Sequence, residues 1–149
     1  MNRKEEYKLN EQLIKAAKDN NLEGITKALD KGANINYQED FYRQTALHKN
    51  ILSFFKDPRV VELLIKRGAN VNIQDTDGNT PLHLTTYYDD LYNYNDETEI
   101  VRLLLEAKAD INIKNEGNDT FLDSAERSGR SKIVRIIEQH MKKETAVKD

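Results

Sequence analysis

The sequence predicts an all-α protein built by repetition, in which one unit, a tight turn followed by two short helices, recurs along the chain. Three observations carry that expectation. Gly-Ala-Asn-x-Asn stands at Gly32 to Asn36 and again at Gly68 to Asn72. A helix-opening threonine recurs at Thr45, Thr80 and Thr120, at spacings of 35 and 40 residues (80 − 45 and 120 − 80). Between these markers apolar residues fall at helical spacing, as at Val60, Val61, Leu63, Leu64 and Ile65.

The best-formed unit runs from Arg59 to Thr86, and each piece has a mechanical reason. Gly68 supplies the left-handed conformation that ends a helix at low cost. Asp77-Gly78 has the chemistry of a hairpin turn. Thr80 caps the next helix, and Pro81 suits its first position, where no N–H is needed.

Gly68-Ala69-Asn70-Val71-Asn72, Asp77-Gly78-Asn79-Thr80-Pro81-Leu82-His83 and Glu99 to Leu105 together resemble the ankyrin repeat. Other copies stand at Gly32 to Asn36 and Gln44 to His48, with weaker ones at Ala109 to Asn112 and Asp119 to Asp123. The family period is about 33 residues. The resemblance covers about Glu11 to Met141. It implies a solenoid of about four helix-turn-helix repeats with projecting β-turn loops, at about 11–36, 37–72, 73–112 and 113–141, with a charged tail at 142–149.

In chain order, residues 1–10 are polar and are expected either to fray or to lie along the first repeat. Gly24 and Lys27 replace large apolar family positions, as suits a terminal repeat that faces water. Leu47, Leu63, Leu64, Leu82, Leu103, Leu104, Leu122 and Ile136 are the expected core. Thr45 to Val61 spans 16 residues and Thr80 to Val101 spans 21, against 14 from Thr120 to Val134. Insertions of about two and seven residues therefore fall between paired helices, near Lys56-Asp57 and near Tyr87 to Asp96. Lys108 occupies the position of Gly32 and Gly68, so that corner is expected to be strained or rearranged. Phe121 and Asp123 replace proline and histidine in the last repeat, which reads as a cap followed by a mobile tail.

Composition limits function. A net charge of −3 and a pI near 5.7 give no basic face for nucleic acid. The chain has no cysteine, no signal-peptide core and no apolar run of about 18 residues. A cytoplasmic location and a monomer when unbound are expected, with no membrane association. The resemblance implies that His48 and His83 bind backbone and threonine groups between turns, and His140 suits the negative end of a helix. Asp75-x-Asp77-x-Asn79 lacks the glycine and closing glutamate of a calcium loop. No nucleophile elbow, phosphate loop or metal spacing is present, so no enzyme activity, cofactor or metal is expected.

The resemblance implies protein recognition on a concave face of turn tips and first-helix surfaces. Exposed aromatics are the natural anchors, because they bury area with little entropy lost. One candidate cluster is Tyr37, Phe41, Tyr42 and Arg43 at a turn tip, and Asp75 and Asp77 of the following turn are further candidates. The other is the third-repeat insertion with Tyr87, Tyr88, Asp89, Asp90, Tyr92 and Tyr94, where no Lys or Arg lies between His83 and Ile100. Both clusters have a structural alternative, in which the rings pack over the solenoid edge and shield its core. A protein partner with a basic surface is the expected ligand. A dedicated inhibitor or immunity protein masking one basic effector, and a host-interaction or stress scaffold with several partners, are the alternatives.

Overall fold

A computed structural model describes residues 1–87 and 96–148. Its helices are α1 (Arg3–Lys18), α2 (Leu22–Asp30), α3 (Ala46–Leu52), α4 (Pro58–Lys66), α5 (Pro81–Leu84), α6 (Asp96–Glu106), α7 (Phe121–Arg127) and α8 (Ser131–Lys148), and no strand occurs among the described residues. They pair in chain order, α1 with α2, α3 with α4, α5 with α6 and α7 with α8. In one layer α1, α3, α5 and α7 each pack on the next, and α4, α6 and α8 do the same in a second. The result is a solenoid in which each unit completes the core of its neighbours.

The corners that close α2, α4 and α6 share one hydrogen-bond pattern. Ala33 N donates to Ala28 O (2.9 Å), and Ala69 N and Ala109 N donate to Leu64 O and Leu104 O (3.0 Å each). This six-to-one bond requires a left-handed residue just after the helix. Gly32 and Gly68 take it at φ 105° and 93°, and Lys108 takes it at φ 66°. The lysine corner is thus strained and not rearranged: the bond pattern is kept, and the side chain bears the steric cost.

The asparagines that follow these corners tie one unit to the next. Asn34 N donates to Asn10 Oδ1 (2.7 Å), Asn70 N to Asn36 Oδ1 (2.8 Å) and Asp110 N to Asn72 Oδ1 (2.8 Å). Asn10 explains why residues 1–10 lie along the first repeat and do not fray. To present that buried acceptor α1 must already be helical there, and it begins at Arg3 under a capping box formed by Asn2 and Glu5. At the other terminus α8 runs on to Lys148 in place of the expected mobile tail, and His140 therefore lies inside the helix, 3.3 Å from Glu144. Gly24 has a packing reason beyond terminal polarity. A Cβ there would meet Asn21 Nδ2 at 2.7 Å and Ala16 Cβ at 3.1 Å.

Of the expected core, Leu47, Leu64, Leu82 and Leu104 are buried, joined by Ile51, Val61, Val101, Phe121, Ile133 and Ile137. Leu63, Leu103, Leu122 and Ile136 are only half-buried against it. Each of the first two sits one residue from the buried leucine, about 100° around the helix. α3 ends at Leu52, because Ser53 turns extended (ψ 138°). α5 is a single turn, and the Thr85 and Thr86 hydroxyls donate back to Leu82 O (2.7 Å) and His83 O (2.8 Å).

Urea unfolding should show Leu82→Ala or Leu104→Ala losing roughly 2–5 kcal/mol, and Leu103→Ala clearly less. Lys108→Gly should gain about 1 kcal/mol by relieving the left-handed lysine, measured the same way.

Candidate functional site

Three turns project between the helix pairs, at residues 37–44, 73–79 and 113–119. All three are built alike. Glu39 N donates to Gln44 O, Asp75 N to Asn79 O and Asn115 N to Asp119 O, each at 3.0 Å. Arg43, Gly78 and Asn118 hold the left-handed position, at φ 57°, 73° and 65°. Glu39, Asp75 and Asn115 turn their side chains inward onto tip amides. Asp75 Oδ1 accepts from Asp77 N and Asn79 N (3.0 Å each), and Asn115 Oδ1 accepts from Asp119 N (3.0 Å). The first turn is one residue longer, and the longer Glu39 spans it, accepting from Phe41 N (2.9 Å), Tyr42 N (2.8 Å) and Gln44 N (3.2 Å). Burial pushes the Glu39 carboxyl up, but these amides and Lys49 outweigh it and hold it below the ordinary range.

The turns are joined edge to edge. Thr76 N donates to Tyr42 O and Glu116 N to Asp77 O, at 2.9 Å each. Gln38 Nε2 reaches Gln74 O, and Gln74 Nε2 reaches Lys114 O (3.1 Å each). Beneath them lie the histidines. His48 Nδ1 accepts from Thr45 N (3.1 Å), which leaves the proton on Nε2, and that atom donates to Asn79 O (3.1 Å). His83 repeats this, from Thr80 N (3.1 Å) to Asp119 O (2.9 Å). Burial lowers the pKa of both rings, against the opposing pull of those carbonyl bonds. In the last unit Asp123 Oδ2 still accepts from Thr120 N (3.0 Å), but a carboxylate has no second donor to send forward.

The candidate residues divide sharply. Asp75 is 8% exposed, and its carboxylate is occupied by Asp77 N, Asn79 N and Gln44 Nε2, so it is part of the turn's frame and not a contact surface. Tyr37 also turns inward. Its hydroxyl donates to Glu11 (3.2 Å), its ring meets Tyr7 edge-on at 6.4 Å, and burial with the Glu11 bond pushes its pKa up to about 12. Arg43 is exposed but bonds the Gln38 carbonyl (3.2 Å). Phe41 and Tyr42 stand out from the tip, 78% and 52% exposed, packed edge to face at 4.8 Å, so Phe41 does not tuck under a neighbouring unit. Lys49 Nζ lies 5.3 Å from the Tyr42 ring.

Asp77 and Tyr87 come together around one polar groove of about 490 Å³, whose walls include His83, Asn115, Glu116 and Arg127. Tyr88, Asp89, Asp90, Tyr92 and Tyr94 lie outside the described residues. One aromatic pair escaped the sequence reading. Phe54 and Phe55, 53% and 75% exposed and 5.0 Å apart, follow α3 at the helix-to-helix connection. Helical phasing places both in α3; two adjacent phenylalanines just ahead of an insertion were the available signal.

A family profile for ankyrin repeats matches residues 13–94 and again 50–149, which together take in most of the chain. The chain belongs to the ankyrin repeat family. An ankyrin repeat protein of fowlpox virus is 33% identical over 134 residues, which is 87% of this chain and 37% of that protein. One from Rickettsia felis is 31% identical over 116 residues, 74% of this chain and 48% of that protein. The human 2-5A-dependent ribonuclease is 35% identical over 75 residues, half of this chain and 10% of the enzyme. The chain therefore spans less than half the length of these relatives. Ankyrin repeats mark a protein-interaction module, and no described helix is long and apolar enough to cross a membrane.

The two histidines give the ankyrin stack a pH dependence. Their folded pKa values lie below the ordinary 6.5, so the unfolded chain binds more protons in this range and stability must rise with pH. Stability should be full above about pH 7 and fall as pH drops through the unfolded value. In urea titrations His48→Gln and His83→Gln should each lower stability at neutral pH and flatten this slope.

Proposed function

We propose that this ankyrin stack is a non-catalytic recognition module that binds a protein partner through its turn tips, with Phe41 and Tyr42 as the anchor. The observation that carries this is their exposure on a rigid tip. Two rings stay in water although Glu39 holds the local backbone through three hydrogen bonds and Thr76 pins the Tyr42 carbonyl. Exposed aromatic pairs on pre-organised backbone lose little entropy on binding, and such residues dominate interface energies.

The tips also carry charge. Asp40, Asp77 and Glu116 are exposed, one on each turn. Of the cations at the tips, Lys49 and Arg43 face Glu39 and Gln38, Arg127 pairs with Asp119, and Lys114 is exposed on the third turn. A partner with a basic surface fits this pattern, and steering between unlike charges speeds such encounters. The insertion residues Tyr88, Asp89, Asp90, Tyr92 and Tyr94, with Tyr87 at its edge, would extend the same acidic, aromatic character. The module acts as a monomer until its partner docks.

Three baits test this by capture from a native lysate and identification of the bound protein: the intact chain, Phe41→Ala/Tyr42→Ala, and a chain with Tyr88 to Asp96 replaced by a short Gly-Ser turn. The double variant should keep its circular dichroism and unfolding midpoint while retention of the partner falls by about tenfold or more. Equal retention on all three baits would place the contact elsewhere.

A further inference from the structure

The four helix pairs are not joined with equal tightness. Three residues connect α1 to α2 (19–21) and α7 to α8 (128–130), five connect α3 to α4 (53–57), and eleven connect α5 to α6 (85–95). A short connection places the second helix on the first by chain geometry alone. A long one leaves that placement to contacts, because the entropy of closing a loop grows with its length. At the loosest join the chain supplies an ionic contact.

Glu97, in the first turn of α6, holds its carboxylate between two cations from different helix pairs. Lys56 Nζ, from the α3–α4 connection, lies 3.2 Å from Oε1, and the Arg130 guanidinium, from the α7–α8 connection, bonds Oε2. All three side chains are nearly out of water, at 12%, 9% and 3% exposed. A buried charge is costly when left alone and tolerable when paired. Sequence reading gave no sign of this cluster, because its members stand 41 and 33 residues apart.

We propose that Glu97 is a shared clamp that couples the second helix pair to the fourth, so that Lys56 and Arg130 depend on each other although their helix pairs are not neighbours in the stack. Either cation alone keeps the buried carboxylate compensated. Removing both strands it. The two losses must therefore be more than additive, whereas a stack with only nearest-neighbour terms makes such distant changes independent.

Urea unfolding of the full chain tests it with Lys56→Met, Arg130→Met and the double variant, each with Glu97 intact and again combined with Glu97→Gln. All are measured in the same concentration of trimethylamine oxide, which favours the compact state and keeps the weakest variant folded. With Glu97 present, the rise in the unfolding constant of the double variant should exceed the product of the single rises by about tenfold or more. In the Glu97→Gln background that excess should vanish. A double variant within about twofold of the product while Glu97 is present, or an excess that persists in the Glu97→Gln background, overturns the clamp.

Discussion

The forward-reaching histidine is the contact on which the rest of this stack depends. Each ring is fixed at Nδ1 by the threonine that opens its own helix, and its Nε2–H is spent on a carbonyl of the following turn. Three things are set at once: where the helix starts, which tautomer the ring adopts, and how far the next turn sits from this one. A protonated ring would lose the acceptor that holds the threonine N–H, so the ring must stay neutral, and burial keeps it so. In the last unit Asp123 retains the backward half of the contact and lacks the forward half. The substitution keeps the helix start and ends the relay.

A division of labour inside the turns follows from this relay. Residues that hold the frame have no capacity left for a partner. Asp75 is engaged by two backbone amides and Gln44, Glu39 by three backbone amides and Lys49, and Tyr37 is committed to Glu11 and Tyr7. Residues one to three positions away, Asp40, Phe41, Tyr42 and Asp77, turn their side chains outward, and the backbones of the last three are pinned. Rigid backbone beneath free side chains is the arrangement that lets a surface vary in chemistry without loss of fold.

The units differ mainly in how their helices are connected, and the stack compensates at the place of greatest difference. The corners keep one hydrogen-bond pattern even where lysine replaces glycine, because that pattern satisfies carbonyls at the end of a helix. The connections between paired helices carry no such obligation and range from three to eleven residues. At the widest of them, buried Glu97 with Lys56 and Arg130 replaces chain connectivity with charge.

By itself the sequence determined the unit, its repetition and the starts of α3, α5 and α7, since Gly32, Gly68, Thr45, Thr80 and Thr120 act through bonds to residues three to five positions away. Local chemistry of that kind is legible because spacing in sequence is spacing in space. It also picked out the aromatic turn, though not which of its members face water. Tertiary structure alone decided that Tyr37 turns in and Phe41 out, that Asp75 is frame and Asp77 is surface, that Leu63 is half-wet beside buried Leu64, and that Phe54 and Phe55 leave the helix. It alone brought Lys56, Glu97 and Arg130 together. Those outcomes depend on partners 26 to 41 residues away, which meet only when the units stack.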